Sequence, residues 1–142
     1  MILPDVNVLL LAHRRDHDEH EQVRSWLEQE VNSDSPFALA DLAVSGFLRI
    51  VTNPRIYERP TKLPTALEFV DGLAGQPTCV SVSAGPNHWP IFRRVLAAAD
   101  ARGNLVPDAH LAAVALEHGA TIATRDRGFA RFREVRWLDP VA

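Results

Sequence analysis

Pro107-Asp108-Ala109-His110-Leu111-Ala112-Ala113-Val114-Ala115-Leu116-Glu117-His118-Gly119-Ala120-Thr121-Ile122-Ala123-Thr124-Arg125-Asp126 holds a helix, its stop and a strand in twenty residues. Pro107 brings a helix-ready backbone angle and has no N–H to leave unpaired, so it starts a helix at Asp108. Gly119 stops it, because glycine takes the left-handed closing conformation without steric cost. Ala120 to Thr124 is then a short apolar strand, and Asp126 follows it.

The same alternation recurs on both sides of this stretch. Ile2-Leu3 is a very short apolar strand ending at Pro4-Asp5, and Val6 to Ala12 is too apolar for a surface helix. From His17 to Val31, the residues Val23, Trp26, Leu27 and Val31 keep helical spacing. Phe37 to Ala40 is a strand, and Asp41 can cap a helix to about Val51 that Asn53-Pro54 closes. A loop at Pro60 to Pro64 leads to a helix over Thr65 to Leu73, and Thr78 to Ser83 is a strand. A helix from about His88 to Arg102 is stopped by Gly103. Asp126 to Phe132 is a short helical piece, and Val135 to Leu138 is the last strand. Each crossover is long enough for a parallel connection. This predicts one three-layer α/β/α domain over residues 1–142, with a mainly parallel sheet of about five strands.

The composition narrows the function classes. The chain has 142 residues, 46% of them apolar, a length that builds one core without staples. Cys79 is the only cysteine, which excludes an intrachain disulfide framework and a Cys-based zinc ribbon. The opening MILPDVNVLLLAHRRD lacks a basic leader and is interrupted by Asp5 and Asn7, so it is a poor signal peptide. No stretch reaches the ~20 apolar residues of a membrane span. The expectation is a cytoplasmic protein. The formal charge of −3 excludes a basic coat but conceals a gradient. Arg14 to Glu30 carries three Arg and six acids, whereas Arg125 to Arg136 carries five Arg and two acids. Lys62 is the only lysine, and arginine's planar fork favours recognition of carboxylate and phosphate.

Ligands of parallel α/β sheets bind outside the carboxyl ends of the strands. Asp5, Asp41 and Asp126 each follow a strand, and Asp108 opens the helix before the Ala120–Thr124 strand. Carboxylates gathered at one edge repel, and either raise their pKa values or hold a cation. Magnesium suits such oxygen donors, keeps part of its water, and can activate that water against phosphate. No GxGxxG or GxxxxGK[ST] stretch occurs, which disfavours a nucleotide cofactor. Each acid also has a plainer use, as a helix cap (Asp5, Asp41, Asp108) or a turn residue (Asp126). With four of the 18 acids at a metal site, 14 stand against 15 Lys+Arg, a balance compatible with an enzyme of nucleic acid.

Pro4-Asp5-Val6-Asn7-Val8-Leu9-Leu10, the His20…Trp26-Leu27 after it, and the stretch from Pro107 to Phe129 resemble the PIN-domain nucleases. GFLRIVTNPRI, Gly46 to Ile56, resembles one branch of the VapC-type toxins of VapBC toxin–antitoxin pairs. The resemblance spans essentially the whole chain. It implies a Mg²⁺- or Mn²⁺-dependent endoribonuclease cleaving tRNA, rRNA or mRNA, usually a homodimer, held inactive by a cognate VapB-type antitoxin. Asp5, Asp108 and Asp126 then match the family's metal-site acids, and Asn7 and Thr124 match polar positions beside them. Many members carry a Glu in the helix after the second strand. Alignment on Phe47-Leu48-Arg49 puts Gly46 there, and the nearest acid, Asp41, stands about 140° round that helix. Asp41 is thus a fourth candidate ligand, and Arg49, Arg125 and Arg127 are candidates for RNA or antitoxin contact.

Other readings stay open. A haloacid-dehalogenase-type phosphatase also starts with an Asp after its first strand, but its chemistry wants a second Asp two residues on, where this chain has Asn7. A receiver-like module shares the alternation and an acidic pocket but wants a Lys after the last strand. A PIN-like binding module without activity would suit the missing Glu. His13, His17 and His20 fall on one face of a continuous helix, as a zinc site would need, yet they sit among charges and read as solvated or packing residues. His110 points away from Asp108 on its helix, and Trp26, Trp89 and Trp137 read as packing residues.

Overall fold

The computed structural model describes residues 1–142. Five strands, β1 (Ile2–Pro4), β2 (Phe37–Ala40), β3 (Cys79–Val82), β4 (Thr121–Ala123) and β5 (Trp137–Leu138), form one sheet in the order β3-β2-β1-β4-β5. Every neighbouring pair is parallel. The chain lays β2 and β3 on one side of β1, then returns to place β4 and β5 on the other. The reversal falls between β1 and β4, whose register pairs Pro4 with Ala123.

Six helices connect the strands: α1 (Val6–His13), α2 (His20–Val31), α3 (Asp41–Val51), α4 (Leu63–Ala74), α5 (His88–Ala99) and α6 (Leu105–His118). Successive strand residues point to opposite faces, and the core divides accordingly. Leu3, Ala38 and Ile122 join the larger cluster, with Phe47 of α3, Val95 of α5 and Ala112 of α6. Their neighbours Phe37 and Ala123 join Val8 and Ala12 of α1 and Val23, Leu27 and Val31 of α2 in the smaller one. Helices therefore cover both faces, and the three-layer expectation is met with a sheet that is wholly parallel.

Several boundaries differ from the sequence reading. Arg14 is extended and closes α1, so α2 begins only at His20. Helix α5 ends at Asp100, whose φ of 48° supplies the left-handed turn expected of Gly103; a short polar side chain tolerates that conformation. Helix α6 starts at Leu105, which makes Asp108 its fourth residue, not its opening one. Pro107 costs nothing there, because first-turn N–H groups have no intrahelical partner. Trp26 and Trp137 pack against the two clusters, but Trp89 is 60% exposed and belongs to neither.

Gly46 sets how closely α3 approaches α1. A Cβ placed on it would lie 2.7 Å from Cγ2 of Val6, a stiff branched side chain. On an open helix Gly→Ala would stabilise by up to ~1 kcal/mol. Here Gly46→Ala should instead lower the melting temperature, by overpacking worth ~1–3 kcal/mol. In a Val6→Ala background the same change should raise it. Thermal denaturation of the four proteins measures both signs.

Candidate active site

The pairing of Pro4 with Ala123 brings Asp5 and Thr124 out side by side at the carboxyl edge of the sheet. Asp5 is 7% exposed and Thr124 is fully buried. The Val6 N–H donates to Asp5 Oδ1 at 2.7 Å, so this carboxylate also caps α1. The Thr124 hydroxyl donates to Asp5 Oδ2 at 2.9 Å, and Asn7 Nδ2 donates to the same oxygen at 3.2 Å. Thr124 Oγ1 accepts from Asn7 Nδ2 at 2.9 Å and from the Asp126 N–H at 3.0 Å. One hydroxyl thus uses its donor and both lone pairs to join β1 to the turn after β4. The Arg125 N–H donates to Asn7 Oδ1 at 3.0 Å and completes the set.

Three carboxylates share this edge. Burial raises the Asp5 pKa against the opposing hydrogen bonds from Thr124 and Val6, and the charge of Asp126 adds to the rise. Asp108, from the first turn of α6, is pushed up to about 6 by burial and then by the charges of Asp5 and Asp126. Asp126 is exposed, and its Oδ1 accepts the Gly128 N–H at 2.8 Å at the head of a 3₁₀ turn (Arg127–Arg131). Asp5 and Asp108 line a cavity of about 240 Å³ between α1, α3 and α6, with Val6, Ser45, Gly46 and Arg49 among its walls.

The donor set is all carboxylate oxygen, the chemistry a hard divalent cation takes. No group of three or more His, Cys, Asp or Glu side chains is gathered closely enough to hold a metal ion by itself. An ion that keeps several waters and leans on one or two carboxylates, as Mg²⁺ does, fits an open edge of this kind.

Other expected residues fall elsewhere. The structure does not bring Asp41 into this group. It is exposed, its Oδ1 accepts the Leu42 N–H at 2.7 Å, and its charge acts on His110. Arg49 reaches the cavity wall, whereas Arg127 is exposed, lies outside that lining, and its charge acts on Asp139. Arg125 is no free phosphate donor, since its guanidinium is shared between Glu19 and Asp139. Lys62, which the phosphatase and receiver readings needed at the acids, starts α4 and does not line the cavity. His110 packs on His88 and Phe92, with ring centroids 4.6 and 5.1 Å away. His13, His17 and His20 bond separately to Thr61, Tyr57 and the Leu11 carbonyl, which ends the zinc reading. A larger hollow of about 520 Å³ lined by His13 and His20 contains none of the three acids. Sequence reading missed Ser45, Glu19 and Asp139. Of these, Asp139 was within reach of the strand-end rule, because it directly follows β5.

The PIN domain family model matches residues 2–135. The chain belongs to the PIN domain family. Among curated relatives, Ribonuclease VapC43 of Mycobacterium tuberculosis is 46% identical over 141 residues, covering 99% of this chain and 96% of its own. Ribonuclease VapC25 of the same organism is 44% identical over 140 residues, covering 99% of each. Among solved structures, this PIN domain superposes on VapBC2 from Rickettsia felis bound to a promoter DNA fragment with a TM-score of 0.74. The two are 14% identical, with 98% of each chain covered, a likeness of fold.

The raised Asp108 pKa has a measurable sign. Its folded value of about 6 lies above the ~3.9 of an unfolded Asp, so the folded protein binds this proton more tightly. Without metal, stability should therefore fall as the pH rises from about 4 through about 6. In EDTA, Asp108→Asn should raise the melting temperature by a few degrees at neutral pH and change it little below about pH 4.

Proposed function

We propose that this PIN domain is a Mg²⁺-dependent endoribonuclease, Mn²⁺ serving in its place, and the toxin of a type II toxin–antitoxin pair. One observation carries the reading: Asp5 and Asp108 line one cavity, within electrostatic reach of Asp126, in a chain 46% identical over 141 residues to a named ribonuclease. Asp5 and Asp108, with Asp126 nearby, would hold a divalent ion that keeps several waters, and such an ion would supply Lewis acidity at a phosphodiester and lower the pKa of a bound water. This chain's own residues hold the rest in place. Thr124, Asn7 and the Val6 N–H orient the Asp5 carboxylate and favour its charged form. Arg49, exposed beside Asp5 and Asp108, is positioned to take a phosphate oxygen, and the exposed Arg127, next to Asp126 in sequence, is a second candidate for such a contact. Asp41, the first residue of α3, places its charge in the helix's first turn, and Ala40 holds the cap position. Water as nucleophile leaves no task for Cys79 or His110.

The substrate is RNA, whether tRNA, rRNA or mRNA, and the protein works in the cytoplasm as a homodimer restrained by a VapB-type antitoxin. The Rickettsia felis structure that shares the fold is a VapBC complex, which supports the antitoxin. No helix is long and apolar enough to cross a membrane.

Cleavage of total RNA by the purified protein tests the proposal. Activity should need added Mg²⁺ and disappear in EDTA, and Asp5→Asn or Asp108→Asn should lower it about a hundredfold or more. Full activity in both variants, or in EDTA, overturns the reading, and wild-type protein that cleaves no RNA in Mg²⁺ leaves a PIN-like binding module.

A further inference from the structure

Arg125 stands at the end of β4, next to Asp126, in the Arg-rich part of the chain, where a phosphate contact is the obvious use. Its geometry gives it another. Nε and Nη2 donate to the two carboxylate oxygens of Glu19 at 3.0 and 2.6 Å, a bidentate fork, and Nη1 donates to Asp139. Asp139's side chain is only 7% exposed, so its charge relies on this partner. Glu19 lies just ahead of α2, and Asp139 just behind β5. The guanidinium therefore ties residue 125 to the chain ahead of α2 and, beside the Thr124 N–H bond to the Leu138 carbonyl, to the chain behind β5.

We propose that Arg125 is a positioning residue, which fixes the backbone N–H that holds Asn7 and, through Asn7, sets the Asp5 carboxylate against Asp126. The inference rests on the nuclease reading above. The path is short and each step is a hydrogen bond. The Arg125 N–H holds Asn7 Oδ1, and that bond turns Asn7 Nδ2 toward Asp5 Oδ2 and Thr124 Oγ1. An asparagine amide without that N–H could rotate, and its oxygen would then face the carboxylate it now supports. Thr124 Oγ1 also accepts the Asp126 N–H, so a displaced residue 125 disturbs both carboxylates together. Partners of this kind, one step behind the groups that bind a metal, typically change metal affinity or activity 10–100-fold.

The carboxylate partners separate this role from RNA contact. If Arg125 bound phosphate, Glu19→Gln would release it, and KM for RNA would fall or stay constant with kcat unchanged. If Arg125 positions Asp5, Glu19→Gln and Asp139→Asn should each lower kcat with KM within about twofold, in the same direction as Arg125→Ala. Calorimetric titration with Mn²⁺ alone should show roughly tenfold weaker binding in all three variants, and Arg125→Lys, which keeps one ion pair, should fall between them and the wild type. Melting curves identify any variant that fails to fold, and the remaining carboxylate variant then decides. Unchanged Mn²⁺ affinity and kcat in folded Glu19→Gln overturns the proposal, as does a rise in KM alone in Arg125→Ala. Wild-type protein that binds Mn²⁺ but cleaves no RNA would instead overturn the nuclease reading, and the Mn²⁺ titration would still report on Arg125.

Discussion

A parallel sheet whose chain reverses its direction of build-up must leave two strand ends adjacent with no connection between them. Here the ends are those of β1 and β4, and the chain leaves them for α1 on one side and the turn at Arg125-Asp126 on the other. The crevice between them is where such sheets bind ligands. A carboxylate buried there has an electrostatic cost that the protein offsets only in part. Hydrogen bonds to a charged acceptor contribute about 1.5–3 kcal/mol each, yet the Asp5 pKa remains raised, burial outweighing the donors around it. Asp108 and Asp126 then add repulsion. The edge is thus left short of positive charge by its own construction, a condition that a cation relieves.

The fold was legible because its signals are local. Apolar runs, Pro107, Gly119 and the Asn53-Pro54 break each act within a few residues, and together they set the order of strands and helices. What failed was also local in kind. Helix α5 closed on Asp100 because the left-handed position fell before Gly103 was reached, and α6 began earlier because a proline is tolerated anywhere in a first turn. The site was half legible for a different reason. A strand-end rule places a residue at an edge without giving the direction of its side chain. Asp5 and Asp41 follow neighbouring strands, yet one turns to Thr124 and the other bends back to the Leu42 N–H in the first turn of α3. Likewise Arg125 reads as cationic from its neighbours in sequence, while the Glu19 that neutralises it is 106 residues away.

Gly46 explains how a site at this edge does without an acid from α3. The helix packs so close to α1 that even a methyl group there meets Val6. The wall instead carries Ser45 and Arg49, small and cationic where a carboxylate would have added to the repulsion. Three acids with an arginine opposite make a site of lower negative charge, open on one side, in keeping with a polyanionic substrate that brings its own phosphate oxygens.

The bond between Thr124 and Asp5 closes a span of 119 residues. During synthesis Asp5 is made 119 residues before Thr124, and α1 can form behind it as an ordinary capped helix. Thr124, Asp126 and Asp139 follow only after the sheet's first three strands. Until Asp108 is made the growing chain therefore holds only one of the site's three acids, and no site. A destructive activity is withheld from the nascent protein by the order of its own sequence, before any partner acts to restrain it.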